Sequence, residues 1–92
     1  MRYIKPDKIN PELINRLFNA GRSLKVYLKS EFSMVPVIEE VLFEPYDDAV
    51  MIRNISRGYK EFISRSSAVK QVTKWKERGV IEKIEIIKEW GM

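Results

Sequence analysis

Ninety-two residues, 45% of them hydrophobic and 33% charged, fit a single soluble globular domain spanning 1–92, with no room for a second core. The absence of cysteine and histidine excludes disulfides, thiolate nucleophiles and Cys-based zinc sites, and removes the commonest general base and transition-metal ligand. The net charge of +4 conceals sorted blocks: residues 31–52 carry acids only, residues 53–78 carry eight bases against Glu61 and Glu77, and the first thirty residues are also basic.

In chain order, residues 2–5 suit a short strand, which Pro6, Asn10 and Pro11 then break. Asn10 has the side chain of an N-cap and Pro11 the fixed φ of a first helical position. The spacing of Leu13, Ile14, Leu17, Phe18, Gly21, Leu24 and Leu28 predicts a helix from about Pro11 to Glu31, with Gly21 as its soft spot. A rival reading makes Leu24, Val26 and Leu28 the inner face of a strand. Ser33 to Glu44 is ambiguous, and its β-branched content favours a strand from about Val37 to Phe43. Glu44 to Asp48 has turn chemistry, and Ala49 to Ile55 closes a hairpin. Ser56-Arg57-Gly58 is a turn, and Tyr59 to Ile63 continues as a third strand or as an extension of the second. Ser66 or Ser67 caps a second helix from about Ala68 to Arg78, with Gly79 as its stop. Val80 to Ile87 reads as the last strand, with Ile84 and Ile86 on one side and Ile81 and Ile87 on the other.

The order (β)αββ(β)αβ predicts an α+β two-layer sandwich, an antiparallel sheet of three to five strands with two helices on one face. With the first strand present, it would follow the split βαβ order of ferredoxin-like folds.

The leading functional signal is the basic stretch from Arg53 to Arg78, interleaved with Tyr59, Phe62 and Trp75. Nucleic-acid binders need Lys and Arg against phosphates and flat rings against bases. Arg53, Arg57, Lys60, Arg65, Lys70 and Lys74 are the expected phosphate contacts and Tyr59 the stacking ring. Residues Arg57 to Ile63 resemble the third-strand aromatic motif of RNA-recognition-motif domains over seven positions. They depart from it at Lys60, where that pattern has a small residue, at Glu61, where it has an aromatic, and at Phe62, displaced by one; the chain is not assigned to that family. The bland alternative is a solvated basic face with Phe62 and Trp75 in the core. Arg16, Arg22, Lys25 and Lys29 would form a second basic patch on the first helix, the last three sharing a face.

Opposed acidic (31–52) and basic (53–78) blocks also suit a self-assembly module, so a homodimer stands beside a monomer. Arg53 and Arg57 alternatively face Glu39, Glu40 or Glu44 across neighbouring strands. Glu39, Glu40, Glu44, Asp47 and Asp48 match no calcium-loop spacing, and no nucleophile has a base to activate it. The expectation is a non-catalytic protein without metal or cofactor, with no membrane partner and a cytoplasmic location. Abundant Lys, Glu and Ile give the composition a thermophilic cast. Trp90 is expected to dock on the domain or to meet a partner.

Overall fold

The computed structural model describes residues 2–29 and 37–87. They form β1 (Arg2–Ile4), a 3-10 turn (Pro6–Lys8), α1 (Pro11–Asn19), β2 (Ser23–Lys29), β3 (Ile38–Tyr46), β4 (Ala49–Asn54), β5 (Tyr59–Ser64), α2 (Arg65–Glu77) and β6 (Ile81–Ile87). The expected segment Ser33–Pro36, the acid Glu31 and the terminal Trp90 lie outside the described residues.

α1 starts as expected, with the Asn10 side chain accepting a hydrogen bond from the Leu13 amide at 2.9 Å and Pro11 at the first position. It stops twelve residues short of Glu31, at Asn19. Gly21 takes φ +74°, and the Arg22 amide bonds back to the Leu17 carbonyl at 3.0 Å, the bonding of a helix stop. The same pattern ends α2, where Gly79 has φ +72° and the Val80 amide reaches the Trp75 carbonyl. The expected long helix is therefore corrected: Ser23–Lys29 is a strand, and Leu24, Val26 and Leu28 are its buried face.

That extra strand changes the sheet. It has six strands in the order β1-β6-β2-β3-β4-β5, and every neighbouring pair is antiparallel. The expected three to five strands are too few, and the order is not ferredoxin-like, because two strands (β4 and β5) lie beyond β3. β6 slots between β1 and β2, which keeps the split βαβ element. α2 carries the chain from β5 at one edge across to β6 near the other.

The α+β class stands. Both helices cover one face: Ile14 and Phe18 of α1 and Ala68 and Val72 of α2 join Leu24, Val26, Val41, Phe43, Val50, Ile52, Ile81 and Ile84 in one core. Phe43 is its centre, fully buried, stacked against Phe18 at 6.4 Å and meeting the Trp75 ring edge-on at 5.8 Å. The β2–β6 register shifts between Tyr27, opposite Lys83, and Leu28, opposite Ile81. This bulge turns Ile81 onto the core side with Ile84, correcting the expected opposition of the two.

α2 begins earlier than expected. Ser64, not Ser66 or Ser67, is the cap, accepting from the Ser67 amide at 3.1 Å. Arg65 then ties three segments together. Its guanidinium donates to the Asn19 side chain at the end of α1 and to the Asp47 carbonyl in the β3–β4 turn, while its amide donates to the Asp48 carbonyl at 2.8 Å.

Candidate functional site

Side chains alternate across a strand, so the registers assign every strand residue to one of two faces. The face without helices presents Tyr3 of β1, Lys83, Glu85 and Ile87 of β6, and Lys25, Tyr27 and Lys29 of β2. β3 adds Glu40, Leu42, Glu44 and Tyr46, β4 adds Met51 and Arg53, and β5 adds Lys60 and Phe62. Tyr3, Tyr46 and Phe62 are each about half exposed or more. Phe62 is thus not a core residue, as the bland reading had it; Trp75 does pack against the core.

Two clusters organise this face. At the β1 side, the Lys83 ammonium lies 4.5 Å from the Tyr3 ring centroid and 4.9 Å from that of Tyr27. The Tyr27 hydroxyl donates to Glu85 at 2.8 Å, and Lys25 pairs with Glu40 at 3.1 Å. Glu85 is almost fully buried although it points away from the core, because Tyr3 and Lys25 flank it on the adjacent strands. At the β5 side, the Tyr46 and Phe62 rings meet edge-on at 6.1 Å, with Met51 opposite Phe62.

The Tyr27 phenol is pushed up to about 12, first by burial, then by its hydrogen bond to Glu85 and by the charge of Glu85 and Glu40. Its ordinary value is 10.0, so the unfolded chain releases this proton before the folded one. Stability from the neutral phenol is therefore present below about pH 10 and lost as pH rises toward 12. An absorbance titration should show one late-ionising tyrosine, and Tyr27→Phe should remove that late phase while leaving the others. A single phase near 10 in the folded protein would contradict this network.

The seven residues singled out from the sequence do not share one surface. Arg53 and Lys60 lie side by side on the uncovered face, as register partners. Tyr59, half exposed, points to the helix side of the sheet, opposite Asn54. Arg57 sits in the β4–β5 turn, Arg65 serves the tie described above, and Lys70 and Lys74 lie along α2 beside Pro11 and Val69. Arg53, Asn54, Ile55, Gly58, Tyr59 and Lys60 line an open depression of ≈ 500 Å³ at the β4–β5 turn.

Some of the basic charge meets the acidic block within the molecule. Arg57 grips Glu39 at 2.8 Å, and Arg53 lies 3.5 Å from Glu44. The Arg57–Glu39 pair is solvent-accessible and contributes about 0–1 kcal/mol, so it reduces the surface potential more than it holds the fold, whereas the Glu44 oxygen facing Arg53 is buried. Lys60, Lys70 and Lys74 have no acidic partner among the described residues. The second basic patch does not form as a helix face: Arg16 lies on α1, but Lys25 and Lys29 lie on β2, and Arg22 precedes it.

Tyr27 and Tyr46 were not singled out as ring contacts from the sequence. For Tyr27 the signal was there, since it alternates with Leu24, Val26 and Leu28 once that segment is read with period two. Among the described residues, no three acidic side chains gather as a metal site, and no helix is long and apolar enough to cross a membrane. No family model, no curated protein and no solved structure matches the chain at a significant level.

Proposed function

We propose that the uncovered face of the sheet binds single-stranded nucleic acid, without catalysis and with little sequence preference. The observation that carries this reading is the gathering of Tyr3, Tyr27, Tyr46 and Phe62 on one open face with Lys25, Arg53, Lys60 and Lys83. Rings on a flat antiparallel sheet stack bases of any identity, and interleaved cations follow the backbone between them. The face keeps a positive excess after Glu40, Glu44, Glu85 and Glu82, the partner of Lys29, are set against Lys25, Lys29, Arg53, Lys60 and Lys83. The expected ligand contacts thus keep Arg53 and Lys60 from the sequence reading and exchange Tyr59 for rings on the opposite face.

The test is fluorescence anisotropy with a labelled single-stranded oligonucleotide and the matching duplex, at low and near-physiological salt. The single strand should bind more tightly, and binding should fall steeply with salt. Tyr3→Ala should weaken binding by about 1–3 kcal/mol if a base stacks there. Lys60→Ala should flatten the salt dependence by about one in the logarithmic slope. Preference for the duplex would move the site to Lys70 and Lys74 on α2, and no binding at low salt would end the proposal.

A further inference from the structure

The sheet ends in two unlike edges. β1 contributes three residues, whereas β5 contributes six. Edge strands carry unpaired backbone groups that invite further pairing, so they are commonly short, bulged or interrupted by proline. β5 has no proline and pairs with β4 in unbroken register. Phe62 in its middle is 63% exposed, more than the other large hydrophobic side chains of the described residues.

One hydrogen bond fixes which backbone groups of β5 are unused. The Arg65 amide donates to the Asp48 carbonyl, which makes that opposed pair a bonded one. Antiparallel ladders alternate, so Ile63, Glu61 and Tyr59 bond to β4. Lys60 and Phe62 therefore aim their amide and carbonyl groups away from the sheet, as Ser64 does its amide, while the Ser64 carbonyl opens the first turn of α2.

We infer that β5 pairs antiparallel with β5 of a second copy about a two-fold axis through Phe62. A two-fold that joins two sheets edge to edge must run perpendicular to them, which permits only registers that keep matching faces together. Centred on Phe62, the register sets Phe62 against the partner's Phe62, Lys60 against the partner's Ser64 and Glu61 against the partner's Ile63. The Phe62 amide and carbonyl, the Lys60 carbonyl and the Ser64 amide then find partners, and no like charges meet. Centring on Glu61 would oppose two carboxylates, and centring on Lys60 two ammonium groups. Centring on Ile63 would set Lys60 beyond the end of the partner strand, where α2 has begun. Tyr46 already meets Phe62 edge-on, so its ring completes a four-ring cluster across the seam. The helices of both copies stay on one side, and the two uncovered faces become continuous. This pairing does not depend on the nucleic-acid reading.

Sedimentation equilibrium over a wide concentration range, without nucleic acid, tests it on the full chain. The wild type should rise from 10.9 kDa toward twice that mass, in low and high salt alike, because backbone bonds and rings form the seam. Phe62→Lys sets two ammonium groups against each other at the axis and should hold the mass at 10.9 kDa. Lys60→Pro replaces an outward amide with a ring that the partner strand would meet, so it should block pairing while circular dichroism and melting stay those of a folded protomer. A wild type that stays monomeric up to millimolar concentration overturns the inference. So does self-association that either variant leaves intact, or that salt abolishes, since the latter marks charge-block pairing instead.

Discussion

Phe43→Ala should lower the unfolding free energy by about 3–5 kcal/mol, the usual cost of truncating a buried aromatic. Its ring is fully buried, and it lies between Phe18 of α1 and Trp75 of α2 on the central strand β3. Truncation leaves a cavity where both helices meet the sheet, and neither helix can close it without leaving its other contacts. Domains of this size have about 5–15 kcal/mol in total, so roughly a fifth or more of the stability is at stake. At roughly 4–8 °C per kcal/mol the melting temperature should fall by about 12–40 °C, read by circular dichroism. Phe43→Leu keeps most of the volume and should cost clearly less; equal costs for the two would mean that the core is loosely packed here.

Arg65→Ala should cost about 2–3 kcal/mol, well above the effect of Arg57→Ala. The Arg65 guanidinium serves two acceptors that belong to different elements, the Asn19 side chain and the Asp47 carbonyl. Hydrogen bonds to a charged donor contribute about 1.5–3 kcal/mol, and the forked geometry is lost with a lysine, so Arg65→Lys should recover little. The Arg57–Glu39 pair, in contrast, is in contact with water. In a binding assay, Arg65→Ala should change affinity only so far as it unfolds the protein. A flatter salt slope with unchanged stability would return this residue to the phosphate contacts.

Arg65 illustrates what a sequence conceals. Its charge was visible, but its acceptors lie 18 and 46 positions away and become neighbours only when α1, the β3–β4 turn and α2 meet. The same holds for Glu85, whose burial on an otherwise wet face follows from the strands that flank it. Local signals were more legible. The Asn10 cap, the Gly79 stop, the hairpin around Asp47-Asp48 and the last strand all rest on neighbouring residues. Gly21 was misread because Leu17, Gly21, Leu24 and Leu28 satisfy a helical period as well as Leu24, Val26 and Leu28 satisfy a strand's. The tie was broken by packing: as a strand, Ser23–Lys29 is bonded on both sides, to β3 and to β6. The error then spread, since one strand fewer gave the wrong sheet order and hid the face on which Tyr27 and Lys83 meet. The cross-strand pairing of Arg53 with Glu44 and of Arg57 with Glu39 was legible, because the hairpin that aligns them was.

The place of β6 carries a kinetic consequence. β2 to β5 are consecutive hairpins whose partners are near in sequence, and such contacts close quickly. Among the described residues β1 pairs only with β6, and Arg2 meets Ile86. A chain emerging from a ribosome can therefore lay down the four-stranded meander early, yet β1 waits without this partner until β6 has been made. Completion should be the slow, high-contact-order event, and a chain cut before Ile81 should leave β2 as a second raw edge beside β5.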